Sequence, residues 1–341
     1  MNKRLRNILK YSIFFAIGVF LVWWQFYKMT PEEWTKFKFA LSNANYWLII
    51  PVIIMALASH ISRSIRWRIL IKPLGYHPSV FNTFGSIMAG YLANSFVLRL
   101  GEILKCTLLS RYEKIPLEKL LGTIVFERIF DLLCYFIFII LTIIIQFKLV
   151  GNFVESKFQD FKAKNNTDLL MIKIILILII FIILIFLIRY IYRRNQHRSF
   201  AIRFKNFIAS LSEGISAVKR MEKRRWFLAH TLFIWTMYVL QIYVGFSAMR
   251  EVSHLGLDAA FSVLTLATIA MIVTPGGIGA FPGAVAGVLI IYSIEQPIGE
   301  AFGYLMWGVT TFITIFFGLF FSGLMYYINK RKQHANGQSH S

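Results

Sequence analysis

Four groups of residues in this sequence set charge, or backbone freedom, in apolar surroundings. The segment TIVFERIFDLLCYF places Glu127, Arg128 and Asp131 inside a long apolar run. An ionised side chain near mid-bilayer costs at least about 2.5–3.5 kcal/mol even on a permissive insertion scale, so such groups face a protein interior or a wet cavity. At helical spacing Glu127 and Asp131 lie one turn apart on one face, and Arg128 is placed to pair with Asp131 at i,i+3. Paired carboxylates can carry acid–base catalysis, but no nucleophile, metal-ligand set or phosphate-binding loop accompanies these two, so the chain does not read as an enzyme. Fastening helices together is the plain alternative role.

The second group is Arg63, Arg66 and Arg68 around Trp67. Arg63 and Arg66, three residues apart, share a helix face from which two guanidiniums could grip a phosphate by bidentate hydrogen bonds. The bland reading is a basic anchor with an interfacial tryptophan. A third group lies in GYLANSFVLRLGEILK: Asn94, Arg99, Gly101, Glu102 and Lys105. Small residues leading to Asn94, then an arginine and a glutamate around a glycine, predict a re-entrant tip followed by a helix start, where Glu102 favours the positive helix end and Arg99 faces headgroups. The last group runs from Thr274 to Gly283 and contains Pro275, Gly276, Gly277 and Gly279. With four glycines and two prolines in ten residues it cannot continue a helix, and freed backbone groups at membrane depth must be buried in protein or line a hydrated cavity.

These groups need a membrane framework to hold them. Hydrophobic residues make up 57% of the 341 and charged ones only 16%, where soluble domains carry about a quarter. The fold expected is an all-α polytopic membrane protein of one integral membrane domain, 1–341. Six full crossings are predicted at 8–27, 46–65, 118–147, 169–189, 226–249 and 302–328. Two weaker regions, 80–100 and 258–294, are rich in Gly, Ser, Thr, Ala and Pro and read as re-entrant or broken helices. Residues 31–40 suggest a short interfacial helix and 201–218 an amphipathic one.

Charge sets the orientation. Residues 189–225 hold eleven Lys or Arg against two acids, which places that loop in the cytoplasm. Both termini then lie in the cytoplasm of a bacterial-type inner membrane, with the tail at 329–341. The first weak region opens from the cytoplasm and the second from outside, as in an inverted repeat. The net charge of +21 is read as membrane orientation and attraction to anionic headgroups, not as a nucleic-acid surface. Cys106 and Cys134 lack any disulfide or zinc spacing and read as packing residues; no cofactor is expected. Trp23, Trp24, Gln25 and Phe26 offer no small-residue cleavage site after the first apolar run, so that run reads as an uncleaved span.

Taken in order, Arg66 and Trp67, then Asn94, Arg99, Gly101 and Glu102, then Glu127, Arg128 and Asp131, and finally Pro275, Gly276, Gly277 and Gly279 resemble the transmembrane region of lysylphosphatidylglycerol synthases. This flippase domain also occurs as a stand-alone membrane protein. The resemblance implies a polytopic helical fold with re-entrant segments and, in bifunctional relatives, translocation of aminoacylated phospholipid. Those relatives carry a soluble transferase domain after the membrane region, whereas this sequence ends about a dozen residues past its last span, so synthesis of an aminoacyl lipid is not expected of it. Where relatives have a proline before Arg-x-Gly-Glu and an acid after Pro-Gly-Gly, this chain has Val97 and Phe281 or Pro282, which points to a different cargo. The expected function is a lipid flippase or transporter acting on a phospholipid, aminoacyl lipid or polyprenyl-phosphate-linked lipid, with Glu102, Glu127 and Asp131 available for proton coupling. The alternatives are an intramembrane lipid-modifying transferase and a non-catalytic partner of a lipid or glycan enzyme.

Overall fold

The computed structural model describes residue 16 and residues 18–97, 99–146 and 221–338. All regular structure among them is helical. A helix over 18–28, α1, is followed by α2 (Pro31–Ser42), α3 (Ile49–Ile71), α4 (Val80–Phe96), α5 (Leu100–Glu113) and α6 (Leu117–Ile145). After residues 147–220 come α7 (Arg224–Phe246), α8 (Leu257–Val273), α9 (Ala280–Ile291) and α10 (Gln296–Gln338). The expected span at 169–189, the amphipathic segment 201–218 and the basic loop up to residue 220 lie outside the described residues.

Among the described residues, four stretches are long and apolar enough to cross a bilayer: Tyr46–Leu74, Leu117–Ile145, Arg224–Phe246 and Gln296–Arg331. They fall on four of the predicted spans, and of the span at 8–27 the described residues are helical. Helix α2, expected at 31–40, begins with a capping box: Thr30 Oγ1 accepts from the Glu33 amide at 3.2 Å, and the Glu33 carboxylate accepts from the Thr30 amide at 2.8 Å. One boundary needs correction. The second span does not end at 65 but continues helically through Ile71. Three arginines at its end lowered the apolar count, yet they sit on a helix whose other faces are Ile, Leu and Trp.

The two weak regions are helix–turn–helix hairpins. In the first, α4 is paired with α5, whose start matches the helix start predicted after the tip and whose length runs past the predicted region 80–100. In the second, α8 is paired with α9 across 274–279. Helices α3 and α7 run antiparallel, since Asn45 just before α3 meets Ala248 just after α7, Ser62 meets His230, and Lys72 just after α3 meets Glu222 just before α7. The first hairpin therefore leaves and re-enters at the end shared by α3 and α6, and the second at the opposite end, between α7 and α10. Each hairpin has its own apolar core. One includes Val52, Val239, Phe246, Val263, Val285 and Phe302; the other includes Trp67, Ile87, Cys106, Leu109, Leu120 and Phe227.

Helix α10 is the spine that holds both hairpins. Its Gly299 and Gly303 pack on Ala286 and Pro282 of α9, and Trp307 reaches the second turn. Further along, Gly318 packs on Leu92, Phe321 stacks edge-on with Phe84 at 4.8 Å, and Asn329 bonds to Asn82. In lipid, where burying an apolar side chain gains little, such small-residue contacts and interhelical hydrogen bonds are what hold helices together. A long exposed apolar face runs along α6, where Leu132, Leu133, Phe136, Ile137, Ile140, Ile143 and Ile144 are all exposed.

Candidate functional site

On α6, Leu120, Thr123, Ile124 and Glu127 are buried and Asp131 continues the same stripe, so the carboxylates point away from the exposed apolar face. On α3, Ser59, Arg63, Arg66 and Leu70 form the matching buried stripe. The two stripes meet in an ionic network. Glu127 Oε1 accepts from Arg63 Nη1 and Arg66 Nη2, both at 3.0 Å, and from Arg128 Nη2 at 3.4 Å. Its other oxygen accepts from Lys105 Nζ of α5 at 3.4 Å. Asp131 pairs with Arg66 at 2.8 Å and with Arg63 at 3.1 Å. One further nitrogen of each guanidinium turns to α7: Arg63 Nη2 donates to the Tyr238 hydroxyl at 3.0 Å and Arg66 Nη1 to Thr231 Oγ1 at 3.2 Å. Aromatic faces complete the shell, with Phe227 under Arg66 and Trp67 under the Lys105 ammonium.

The network is closed on one side and open on the other. Side chains of Arg66 and Glu127 are 0% and 1% exposed, whereas Arg128 and Glu102 are 41% and 27% exposed. Across that opening Arg128 Nε stands 3.9 Å from Glu102 Oε1. Four cations, Arg63, Arg66, Lys105 and Arg128, face three carboxylates, Glu102, Glu127 and Asp131, so the cluster carries an excess of positive charge. Among the described residues no three His, Cys, Asp or Glu side chains are arranged to hold a metal ion.

Glu102 is set by the tip of the first hairpin. Helix α5 starts after Arg99, whose φ of 65° is left-handed, and has no capping side chain at its own N-cap. Asn94 of α4 supplies the cap instead. Its Oδ1 accepts from the Gly101 amide at 2.7 Å, and its Nδ2 donates to Glu102 Oε2 at 3.1 Å. Gly276 at the turn of the second hairpin lies against Ser95, so the two tips touch. At that turn Gly276, Gly277 and Gly279 have φ of 58°, 73° and 68°. The carbonyl of Gly276 accepts from Trp307 Nε1 at 2.8 Å, and that of Gly279 from Gln25 Nε2 at 2.7 Å. Two of the carbonyls freed by the break therefore face protein donors.

A family model described as the lysylphosphatidylglycerol synthase TM region matches residues 9–318. This chain belongs to that family. A UPF0104 membrane protein of Methanocaldococcus jannaschii is 24% identical over 249 residues, covering 70% of this chain and 73% of the archaeal one. No solved structure matches. The chain is thus a multi-pass membrane protein of the lysylphosphatidylglycerol synthase TM-region family.

Within this family member, the structure brings together Arg63, Arg66, Glu102, Glu127, Arg128 and Asp131, with Asn94 positioning Glu102. Arg99 stands apart: it is exposed at the tip, and its side chain makes no ion pair or hydrogen bond among the described residues. Pro275, Gly276, Gly277 and Gly279 build the facing turn. Two readings change. Trp67 is fully buried, donating from Nε1 to Thr123 Oγ1 at 2.9 Å, and is no interfacial anchor. Arg63 and Arg66 spend their guanidiniums on Glu127 and Asp131, which leaves Arg128 as the more accessible guanidinium of the cluster. The local pair Arg128–Asp131 is long, at 3.8 Å, because Asp131 is drawn to α3. Lys105, Thr231 and Tyr238 were not expected as partners. Lys105 falls one turn after Gly101 and was legible as a cation beside a helix start; the two hydroxyl residues on α7 give no such signal.

The turn itself makes a test. An alanine at Gly276 must adopt a left-handed conformation and bring a Cβ within 3.3 Å of Ser95 backbone atoms. Gly276→Ala is expected to lower stability by about 1–2 kcal/mol. Gly287→Ala, where an added Cβ meets nothing within 4 Å, should not. Thermal unfolding of the two variants in one detergent reads the difference.

Proposed function

We propose that this family member carries a lipid with an anionic, phosphate-bearing headgroup between leaflets of a bacterial-type cytoplasmic membrane, with both termini on the cytoplasmic side. The observation that carries the reading is the one-sided opening of a buried ionic network with more cations than carboxylates. A phosphate is attracted to the surplus charge and meets Arg128 first, while acyl chains stay along the exposed apolar face of α6. Glu102, opposite Arg128, is the carboxylate that an incoming headgroup displaces, since its 3.9 Å separation is wider than a direct hydrogen bond. The closed side, tied to α3 and α7, holds the cluster's shape while the open side exchanges partners. The two hairpins, entering from opposite ends and touching at Ser95 and Gly276, supply elements that can part on one side at a time.

The test is leaflet exchange in vesicles that contain fluorescent phosphatidylglycerol and the purified protein, followed with a membrane-impermeant quencher. Wild-type protein should make inner-leaflet probe accessible, and Arg128→Gln should slow this at least about tenfold, equivalent to about 1.4 kcal/mol of lost interaction. Equal rates for wild-type and protein-free vesicles would remove the reading. A full rate in Arg128→Gln would remove the role given to that residue.

A further inference from the structure

A second buried acid lies well away from the ionic network. Glu300 of α10 is 3% exposed. One oxygen accepts from Gln296 Nε2 at 2.8 Å; the other is buried and has no hydrogen-bond partner among the described residues. Among the described residues it makes no ion pair with a cation. From α9 the neighbouring contacts, made by Gly299, are to Ala286 and Leu289. From α2 the charged group that acts on it is Glu33, a like charge. Of the two lysines on that helix, Lys36 is already bound to Glu32 at 3.2 Å and to Glu295 at 2.7 Å, and Lys38 lies over the Trp34 ring at 5.4 Å. The contrast with Glu127, which four cations surround, is complete. A carboxylate with neither cation nor full hydrogen bonding is a poor fit to a dry apolar site, and a carboxylic acid is a good one.

Glu300 is also connected. Gln296, Glu300, Tyr304 and Trp307 fall on one face of α10 at helical spacing. The Tyr304 hydroxyl, one helical turn along from Glu300, donates to Gln25 Oε1 of α1 at 2.8 Å. Gln25 in turn donates from Nε2 to the carbonyl of Gly279, and Trp307 donates to that of Gly276. A tyrosine hydroxyl has one proton to give.

We propose that Glu300 is a proton-binding site, and that its proton governs how firmly the turn of the second hairpin is held, through Tyr304 and Gln25. With the proton on Glu300, Tyr304 donates to Gln25 and keeps its carboxamide aimed at Gly279. When the proton leaves to water, the carboxylate one turn away becomes a charged acceptor, about twice as strong as a neutral one. Tyr304 turns to it, Gln25 loses the donor that orients it, and the Gly279 carbonyl is released. No bond other than O–H is made or broken. Protons thereby act on the tip that touches the first hairpin, a role the sequence had offered to Glu102, Glu127 and Asp131. Only the use of this switch in lipid movement rests on the transport reading; proton binding and the hold on the turn do not.

The test therefore uses no transport assay. Full-length protein in lipid nanodiscs is titrated while the infrared C=O stretch of protonated carboxyls is recorded, and amide hydrogen exchange of residues 275–283 is compared with that of Glu300→Gln at each pH. A titrating carboxyl band should be present in wild type and absent in Glu300→Gln, and the wild-type to variant exchange ratio at the turn should climb at least about tenfold as the band is lost, a change of about 1.4 kcal/mol in opening. Tyr304→Phe supplies a second comparison, and an independent one if Glu300→Gln fails to assemble: it should keep the band while its exchange ratio to wild type reports loss of the pH response. A wild-type spectrum without such a band, or a band that survives in Glu300→Gln, overturns the site. An exchange ratio that stays flat, or a Tyr304→Phe protein that keeps the full pH response, overturns the coupling.

Discussion

Glu127→Leu is expected to yield little monodisperse protein, and what is recovered should unfold at a markedly lower temperature than wild type. The reason is the number of charges that depend on one carboxylate. Arg63, Arg66, Arg128 and Lys105 all lie within 3.4 Å of its two oxygens. Removing it leaves Asp131 alone to answer two fully or nearly buried guanidiniums, and Lys105 with no carboxylate in contact. Breaking a buried ion pair from one side costs about 3–5 kcal/mol, because the surviving charge stays buried and uncompensated. Against a total stability of about 5–15 kcal/mol, that loss is decisive. The same logic predicts a rescue. Arg66→Met removes one surplus cation and replaces it with an apolar chain that can still lie on Phe227, so the double variant should be more stable than Glu127→Leu alone, with a coupling of about 0.5–3 kcal/mol. Thermal scans of wild type, both single variants and the double variant in one detergent measure that coupling. A Glu127→Leu protein as stable as wild type would mean that the network contributes nothing to the fold.

This network also shows what the sequence could reveal. Glu127 and Asp131 stood out because an acid within an apolar helix demands an answering group, and the demand is visible in one dimension. The identity of that group is not. Arg63 and Arg66 sit where the apolar run thins out, and arginines in that position are usually explained by the membrane surface; only the packing of α3 on α6 turns them inward. Glu300 was hidden for a related reason. It stands close after Pro297 at the beginning of a span, where an acid reads as ordinary first-turn chemistry, and its burial comes from α9 and α2, which lie far away in the chain. Thr231 and Tyr238 are neutral, so no charge imbalance marks them. The two hairpins were legible as weakly apolar regions rich in small residues, and the start of α5 as a helix start after the first tip, but the length of that arm was not, since its inward Lys105 and outward Arg111 give it the composition of a loop.

The arm α5 carries the other large prediction. Helices α4 and α5 cross where Gly90 faces Gly101, close enough that a Cβ on Gly101 would collide with the Gly90 carbonyl oxygen and lie 2.7 Å from the Asn94 side chain. Neither obstacle can swing aside: one is helical backbone, and the other is the carboxamide that caps α5 and orients Glu102. Gly101→Ala must therefore separate the arms, which misplaces Glu102 relative to Arg128 and moves the tip that meets Gly276. Overpacking of this kind costs about 1–3 kcal/mol where side chains can yield, and the effect here should reach or exceed the upper end because backbone must move. Gly90→Ala comes next in severity, its added carbon falling 2.8 Å from the Gly101 carbonyl oxygen and 3.2 Å from Lys105 Cβ. Gly122→Ala, inside α6 with nothing within 4 Å of the new carbon, should instead gain up to about 1 kcal/mol from helix propensity. The expected order of unfolding temperature is thus Gly122→Ala at or above wild type, then Gly90→Ala, then Gly101→Ala. A Gly101→Ala protein that unfolds with Gly122→Ala would show that the hairpin arms are not packed at this crossing, and with it would go the placement of Glu102 opposite Arg128.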